Sequence, residues 1–350
     1  MRIALTAFTR RGGALARELF RALGEEGHIC SLACPRRLEE ALAFPETYER
    51  VGNWAGARFA DSDALLFVGA SGIAVRAIAP YVRDKLTDPA VVSVDEAGRF
   101  AVPLLSGHVG GANDLARRVA ALTGGEAAVS TATDVNGRFA VDQWAREQGL
   151  CLEGREAAKA ISAALLAGET VGLSSDFPIQ GPLPEGVVRE DRPLGFAVTL
   201  DEAKAPFGQT LRLIPRILTL GIGCRRGTPA EAIARAVDAV LAEHRLSPKG
   251  VKQAATIDLK KDEPGLLAFC QDRGLPLRCY PAEELAGLPG DFTPSAFVQG
   301  VTGVDNVCER SAVRAGGELL IPKQAGGGVT VAVSQAPLTL CFTRSEGEML

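Results

Sequence analysis

Short apolar runs alternate with longer segments of helical character from the start of the chain. Buried strands are predicted for three mostly apolar runs of suitable length, namely Ile3 to Phe8, Asp63 to Val68 and Ala90 to Val94. Ala14 to Leu23 and Asn113 to Leu122 follow such strands and read as helices. Repeated strand–loop–helix units of this size predict an open, mostly parallel sheet in the first part of the chain.

The pattern changes after Gly137. Between Ser174 and Pro215 the chain combines short apolar runs with many prolines, which predicts a small, loop-rich β module or connector. Val129 to Thr131 is predicted to form one more short strand before this change.

A second series of strand and helix signals begins at Ile217, where an apolar run leads into a helix predicted over Pro229 to Glu243. Thr228 has the residue type of an N-cap, and Glu231 is placed to close a capping box. The predicted fold class is therefore α/β, with two open, mostly parallel α/β domains joined by a smaller Pro/Gly-rich middle module. We expect an N-terminal domain over 1–137, the middle module over 138–215 and a C-terminal domain over 216–345.

Composition narrows the class of protein. The 350 residues are 47% hydrophobic and 23% charged, as in globular proteins of more than one domain. The net charge of −4 and the 5% aromatic content argue against nucleic acid as a partner. No apolar run reaches the roughly 18–20 residues of a membrane span, and the first residues read as a strand rather than a signal peptide. We expect a cytoplasmic protein.

The eight cysteines predict neither disulfides nor a metal site. They form no C-x-x-C pair, and no second pair or nearby histidine completes a zinc site around Cys30 and Cys34. Reduced, mostly buried thiols are the expectation.

The richest candidate site lies between Pro103 and Asp114, where a strand runs into glycines and then into a helix. Such a turn exposes backbone N–H groups at a helix N-terminus, which suits a carboxylate or phosphate. Within this loop, Ser106 is a candidate for ligand binding and His108 for proton transfer near neutral pH. A tight turn in which His108 caps or bridges backbone groups is the structural alternative.

Two further strand ends are expected beside this loop. One is the turn at Gly69, Ser71 and Gly72 with Arg76 on the following helix, and the other is Thr131 to Asp134. We expect the three strand ends to converge at the carboxyl edge of a doubly wound sheet. Arg76 is either an acid-binding group or a solvated side chain. Asp134 is a base, a supporting partner or a helix cap.

The C-terminal region has a similar glycine-rich turn after a predicted strand. It contains Gly223 and Cys224, followed by two arginines, Arg225 and Arg226. Arginine suits carboxylates because its planar fork donates hydrogen bonds in pairs. Cys224 is a candidate nucleophile, although no histidine is close in sequence and a packed thiol is favoured. Glu309 and Lys323 are either ligands or members of surface ion pairs. The G-x-G-x-x-G and G-x-x-x-x-G-K-[ST] patterns are missing, so NAD and ATP have no support.

These motifs together resemble the cobalt-precorrin-5A hydrolase family (CbiG) of anaerobic cobalamin biosynthesis. The resemblance runs from about residue 45 to residue 342 and is carried by segments in a fixed order, namely Val68 to Arg76, Pro103 to Asn113, Thr131 to Asp134, Gly221 to Gly227, Lys261 with Glu263, and Val307 to Ala312 with Lys323. Proteins of this family have N-terminal, middle and C-terminal domains, and the last is also found alone in the aerobic branch of the pathway. Cys308 stands where a small residue such as alanine is expected, a departure that concerns packing.

The resemblance implies hydrolysis of a δ-lactone with release of acetaldehyde, on a carboxylate-rich cobalt-tetrapyrrole substrate and without a cofactor of the protein's own. Neighbouring pathway enzymes are implied as further partners. For this reaction we predict Ser106, His108 and Asp134 as the catalytic residues, with Gly110 and Gly111 donating backbone hydrogen bonds. We predict substrate binding by Gly69, Ser71, Gly72, Arg76, Gly107, Gly110, Gly111, Asn113, Thr133, Gly223, Cys224, Arg225, Arg226, Glu309 and Lys323. A non-catalytic carrier of a tetrapyrrole intermediate is the main alternative, and a phosphate-dependent α/β enzyme is the second.

Overall fold

The computed structural model describes residues 1–84, 87–107, 110–131 and 136–342. The chain divides into two compact units, the first ending at Gln143 and the second beginning at Trp144. Both consist of mostly parallel sheets with helices, which confirms the predicted α/β class. Within the described ranges, none of the helices is both long and apolar enough to cross a bilayer.

The first unit is built on a seven-stranded sheet in the order β3-β2-β1-β4-β5-β6-β7. Its strands are β1 (Arg2–Ala7), β2 (Ile29–Pro35), β3 (Glu46–Tyr48), β4 (Ala64–Val68), β5 (Ala90–Val94), β6 (Phe100–Leu105) and β7 (Glu126–Ala127). Its helices are α1 (Arg10–Glu25), α2 (Glu39–Leu42), α3 (Val51–Asp61), α4 (Ser71–Ile78) and α5 (Ala112–Thr123). Neighbouring strands are parallel except for β6, which runs antiparallel to β5.

Apolar side chains on both faces of the central strands explain why helices cover the sheet on two sides. Every residue of β4 and of β5 is buried. Successive strand residues point to opposite faces. Leu66 therefore packs in one core cluster with Leu19 of α1 and Leu115 of α5. Leu65 packs in the other cluster with Trp54 of α3.

The predicted strand over Val129 to Thr131 is wrong by a few residues, because β7 is Glu126–Ala127. Tertiary pairing selects this register. The Glu126 N–H donates to the Arg99 carbonyl at 2.7 Å, and the Ala128 N–H donates to the Ala101 carbonyl at 2.8 Å.

The second unit contains the remaining elements. They are α6 (Val141–Glu147, which begins just before the unit boundary), β8 (Leu150–Glu153), α7 (Arg155–Leu166), β9 (Val171–Ser175), β10 (Ile179–Gln180), β11 (Val187–Val188), β12 (Leu194–Val198), β13 (Gln209–Pro215), β14 (Leu218–Cys224), α8 (Ala230–Glu243), β15 (Val251–Ile257), α9 (Pro264–Asp272), β16 (Leu277–Tyr280), α10 (Ala282–Ala286), α11 (Ala296–Thr302), α12 (Val307–Gly316), β17 (Glu318–Gly326), β18 (Val329–Gln335) and β19 (Leu340–Cys341).

The middle region is more regular than its sequence predicts. It forms a five-stranded sheet in the order β11-β9-β12-β13-β8, with only β8 antiparallel to its neighbour. The ring of Phe207 lies against Gly195, where a Cβ would come within 2.6 Å of it. Most of the prolines lie in the connections between these strands, so the sheet remains intact although the region is rich in proline.

The last sheet has the order β16-β15-β14-β18-β17. Strands β14, β15 and β16 are parallel, whereas β18 is antiparallel to β14 and pairs Val329 with Cys224. The carboxyl ends of β14 and β15 therefore lie at one edge with the β17–β18 hairpin.

The predicted capping box before α8 is wrong. Thr228 donates its hydroxyl to the Arg225 carbonyl at 2.8 Å, and Pro229 takes the N-cap position without a side-chain bond.

Candidate functional site

The turn between β6 and α5 in the first unit folds back tightly on itself. The N–H of Ala112 donates to the Ser106 carbonyl at 3.1 Å, and the N–H of Asn113 donates to the Gly107 carbonyl at 3.0 Å. A Cβ at position 110 would lie 2.7 Å from the Ser106 carbonyl oxygen, so only glycine fits there without a shift of backbone. The turn is thus fixed by its own main chain before any ligand binds.

Ser106 holds the start of this turn. It is 7% exposed and adopts a left-handed φ of 56°, which is uncommon for a residue with a side chain. Its hydroxyl donates to the carbonyl of Asp88 at 2.9 Å. The Asp88 carboxylate in turn accepts from the N–H groups of Arg83 and Asp84 at 2.8 and 3.0 Å. The hydroxyl is therefore engaged in joining two loops.

Asn113 ties the same turn to the chain that follows β7. Its side chain is almost fully buried, and the amide donates to the Thr131 hydroxyl at 3.0 Å. His108, Thr133 and Asp134 lie outside the described residues, so their assignment stays a prediction. Their described neighbours Gly107 and Thr131 are brought to one corner of the unit through Asn113.

The expectation that all three strand ends converge is wrong. Because β6 is antiparallel to β5, Leu105 pairs with Val91, near the amino end of β5. Gly69 lies at the other end, where its N–H donates to the Val94 carbonyl at 2.8 Å. Three residues of strand separate Val91 from Val94, which corresponds to roughly 10 Å. The Ser106 turn and the Gly69 turn therefore lie at opposite edges of the sheet.

The turn after β4 leads into α4, which begins at Ser71 and has no side-chain cap. Arg76 on this helix folds back onto it, where its guanidinium donates to the Gly72 carbonyl at 3.1 Å. This arginine remains exposed, and no ion-pair partner for it is found among the described residues. Its contact is local, as expected for a side chain that lies along its own helix.

The turn after β14 in the second unit carries Arg225 and Arg226. The Arg225 N–H donates to the Gly328 carbonyl at 3.1 Å, which fixes the turn against the β17–β18 hairpin. Both arginine side chains are exposed, and within the described ranges neither forms an ion pair. Two neighbouring guanidinium groups that form no ion pair favour an anionic ligand, although the charge of Arg226 also acts on the buried Glu263 carboxylate.

A buried carboxylate supports this turn from behind. Glu263 is 7% exposed and accepts from the Gly227 N–H at 2.6 Å and from Lys260 Nζ at 3.0 Å. Burial raises the pKa of Glu263, but the hydrogen bonds from Gly227 and Lys260 outweigh it and hold the pKa below its ordinary value. The carboxylate is thus charged and anchors the arginine turn.

Cys224 does not have the environment of an activated nucleophile. Burial raises the pKa of its thiol, although Lys260 acts in the opposite direction. A thiol with a raised pKa carries little thiolate near neutral pH. The favoured interpretation of a packed thiol agrees with this environment.

Glu309 is fully buried at the start of α12 and faces protein groups. Its carboxylate accepts from the N–H and the hydroxyl of Thr293 at 2.7 and 2.9 Å and from the Lys323 N–H at 2.7 Å. These bonds join the segment before α11 to strand β17. The contacts of Glu309 therefore tie the loop at Thr293 to strand β17, to which Lys323 contributes its backbone N–H.

Sequence reasoning missed Asp88 and Lys260, which orient the two turns through other residues. The Thr87-Asp88-Pro89 turn signal hints at Asp88, because aspartate often bonds to backbone N–H groups in turns.

Over the residues that the structure describes, no group of three or more histidine, cysteine or acidic side chains is arranged to hold a metal ion. All eight cysteines are free thiols.

The sheets and the arginine turn define an α/β protein that presents glycine-rich strand-to-helix turns and, at the turn after β14, a pair of exposed guanidinium groups. The comparisons with known proteins specify this further. Three family models match, namely "Cobalamin synthesis G N-terminal" over residues 53–134, "Cobalamin biosynthesis central region" over 139–215 and "Cobalamin synthesis G C-terminus" over 218–334.

Two curated relatives are similar over most of their length. A cobalt-precorrin-5A hydrolase of Salmonella typhimurium is 34% identical over 95% of this chain and 97% of its own. A protein of the same name from Priestia megaterium is 33% identical over 80% of each chain. The chain therefore belongs to the CbiG, or cobalt-precorrin-5A hydrolase, family. A solved cobalamin biosynthesis protein G homologue from Sulfolobus solfataricus is 21% identical over 95% of this chain and 96% of its own, with a TM-score of 0.40.

Proposed function

We propose that this protein opens the δ-lactone of cobalt-precorrin-5A and releases acetaldehyde, which leaves cobalt-precorrin-5B. As a member of the family, the chain is a hydrolase of cobalamin biosynthesis. The observation that carries the proposal is the 34% identity with a cobalt-precorrin-5A hydrolase over 97% of that relative. We further place the reaction in the cytoplasm, with neighbouring pathway enzymes as partners.

The turn between β6 and α5 is our candidate for the hydrolytic step. In the proposal, His108 removes a proton from the attacking water, and the N–H groups of Gly110 and Gly111 stabilise the oxyanion. These two N–H groups donate to no atom of the described residues, and they precede a helix whose N-terminus favours negative charge. Ser106 and Asn113 hold the turn in place through Asp88 and Thr131.

The chemistry then proceeds within the substrate. Water adds to the lactone carbonyl, and the ring C–O bond breaks to give a carboxylate and a secondary alcohol. Loss of the alcohol proton breaks the adjacent carbon–carbon bond and expels acetaldehyde. The electron pair of that bond passes into the electron-poor macrocycle, whose cobalt is part of the substrate. The protein supplies proton transfer and binding, with Asp134 as the candidate second proton carrier.

Arg225 and Arg226 are our candidates for binding the acetate and propionate arms of the macrocycle. Exposed guanidinium groups that form no ion pair within the described ranges, on a turn fixed by Glu263, form a preorganised site for carboxylates.

The test is an assay for acetaldehyde with the full chain and the enzymatically generated lactone, comparing wild type, His108→Ala and His244→Ala. His244 is exposed at the end of α8, so its variant is the matched control. We expect the His108 variant to lose at least about 100-fold in rate with substrate binding retained, because a general base contributes about that much. Equal rates in the three proteins would exclude His108 as the base. Binding without any acetaldehyde from wild type would instead identify a carrier.

A further inference from the structure

A second candidate anion site lies in the second unit, at the edge opposite the arginine turn. A groove of about 570 Å³ opens where β14, β15 and β16 begin, and it is lined by Gln148, Arg216, Ile217, Lys252, Pro276 and Leu338 among others. We call it the Arg216 groove. Its volume is in the range of pockets that take small organic ligands.

The polar side chains of the Arg216 groove are hydrogen-bond donors. Arg216 donates to the Val251 carbonyl at 3.4 Å, which leaves most of its guanidinium N–H groups unused. Lys252 is exposed and has no ion-pair or hydrogen-bond partner within the described ranges. None of the described residues that line the groove is acidic. Two cations in one groove without a counterion favour an anion.

Gln148 adds a neutral donor of fixed orientation. Its Oε1 accepts from the Cys341 N–H at 3.2 Å, so the amide nitrogen is the end that remains. That nitrogen has no acceptor among the described residues. Ile217, Pro276 and Leu338 supply apolar walls. The groove therefore combines charged and neutral donors with apolar surface.

We propose that the Arg216 groove binds an organic carboxylate with a small apolar body, separately from the turn at Arg225 and Arg226. Carboxylates accept two or more hydrogen bonds and carry the negative charge that would neutralise the two cations. Such a carboxylate comes either from an arm of a tetrapyrrole or from a free dicarboxylic acid. The proposal does not depend on lactone hydrolysis.

The experiment is calorimetric titration of the full chain with glutarate and with uroporphyrin III, an octacarboxylic tetrapyrrole. The test variant is the double substitution Arg216→Gln with Lys252→Gln. The control is Arg189→Gln with Arg235→Gln, which removes the same charge at two exposed positions that do not line the groove. A second comparison uses Arg225→Gln with Arg226→Gln, and glutaramide serves as the uncharged ligand.

We expect the affinity of the groove for glutarate to fall at least about tenfold in the groove variant and to stay within about twofold in the control. The Arg225 and Arg226 variant removes any second glutarate-binding event at that turn and leaves the affinity of the groove within about twofold. Glutaramide is expected not to bind. A parallel loss of uroporphyrin affinity in the groove variant would identify a tetrapyrrole arm as the source, whereas a loss confined to glutarate would identify a free acid. The proposal fails if wild type does not bind glutarate, or if glutarate affinity falls only in the Arg225 and Arg226 variant. Neither outcome depends on acetaldehyde release.

Discussion

The two glycine-rich turns, one after β6 in the first unit and one after β14 in the second, look alike in sequence but are supported differently. The turn after β6 is held by neutral groups, with the Ser106 hydroxyl on the Asp88 carbonyl and the Asn113 amide on Thr131. The turn after β14 is held by charge, because the Glu263 carboxylate accepts from Gly227 and Lys260.

This difference separates two tasks that the sequence pattern alone does not distinguish. A turn fixed by neutral hydrogen bonds at the start of a helix offers backbone N–H groups, which suits stabilisation of a developing oxyanion. A turn with an anchored carboxylate behind and exposed arginines in front suits binding of a preformed carboxylate. We therefore expect substitutions in the first turn to change the rate and those in the second to change affinity.

The largest effect is expected for Gly110→Ala. The new methyl group would meet the backbone and side chain of Ser106, so the turn cannot keep its shape. Acetaldehyde release should fall at least about 100-fold, because displaced oxyanion donors cost that much. Gly24→Ala is the matched control, since nothing lies within 4 Å of the added methyl and glycine in a helix is unfavourable. Activity retained in the Gly110 variant would show that the turn does not position reacting groups.

The next effect is expected for the double substitution Arg225→Gln with Arg226→Gln. Loss of hydrogen bonds to charged groups of about 1.5–3 kcal/mol should raise KM for the lactone about 10- to 100-fold, with kcat nearly unchanged. Steady-state kinetics at low and high salt would measure this, because salt screens exposed charges. An unchanged KM, or a fall in kcat alone, would contradict the separation of the two turns. The Arg189 and Arg235 variant is the charge-matched control.

Glu263→Gln is expected to act mainly on stability. The substitution removes the carboxylate charge that accepts hydrogen bonds from Lys260 and Gly227. It should lower the free energy of unfolding by about 2 kcal/mol near pH 7. Because the folded-state pKa of Glu263 is held below its ordinary value of 4.5, this stabilisation is present above that pH and is lost as the pH falls through the folded pKa. Chemical denaturation at several pH values should therefore show the variant and wild type converging in acid.

Glu243→Gln at the exposed end of α8 should change the unfolding free energy by less than about 0.5 kcal/mol at any of these pH values. A constant gap between wild type and the Glu263 variant from pH 7 down to acid would mean that the anchoring charge is not the cause.

The smallest effect is expected for Arg76→Gln. Its guanidinium bonds to the Gly72 carbonyl one helical turn back, at the edge of the sheet opposite the Ser106 turn. We expect kcat and KM to change less than about threefold, as for an exposed side chain without a buried partner. A rise in KM comparable to that of the Arg225 and Arg226 variant would place Arg76 in the substrate site.

Much of the fold was predictable because its elements have strong local signals. The strand Ala90–Val94 has the predicted bounds, and the helix Ala230–Glu243 differs by one residue at its start. Their apolar runs and helix signals lie within the segments themselves. β7 and the middle sheet depend instead on which distant backbone each strand pairs with. The sequence therefore predicted too late a start for β7 and too little regular structure for the middle sheet.

The candidate site was predictable in composition but not in grouping. Ser106, Asn113, Arg225 and Arg226 were chosen from motifs, and the structure gives their hydrogen bonds and exposure. Glu309 looked like a surface or ligand residue and is instead buried under three hydrogen bonds. Burial of a polar side chain depends on hydrogen-bond donors from distant parts of the chain. For Glu309 these donors are Thr293 and Lys323.

The sequence by itself determined the α/β class, the positions of the glycine-rich turns and the resemblance to the CbiG family, because these depend on local periodicity and on motif order. Only the tertiary structure decided which turns share an edge. The reversed direction of β6 places the Ser106 turn away from Gly69, since β6 ends at the edge of the sheet where β4 and β5 begin. The Arg216 groove depends on the same kind of information. Its donors lie far apart along the chain and meet only because the strands of the second unit begin side by side.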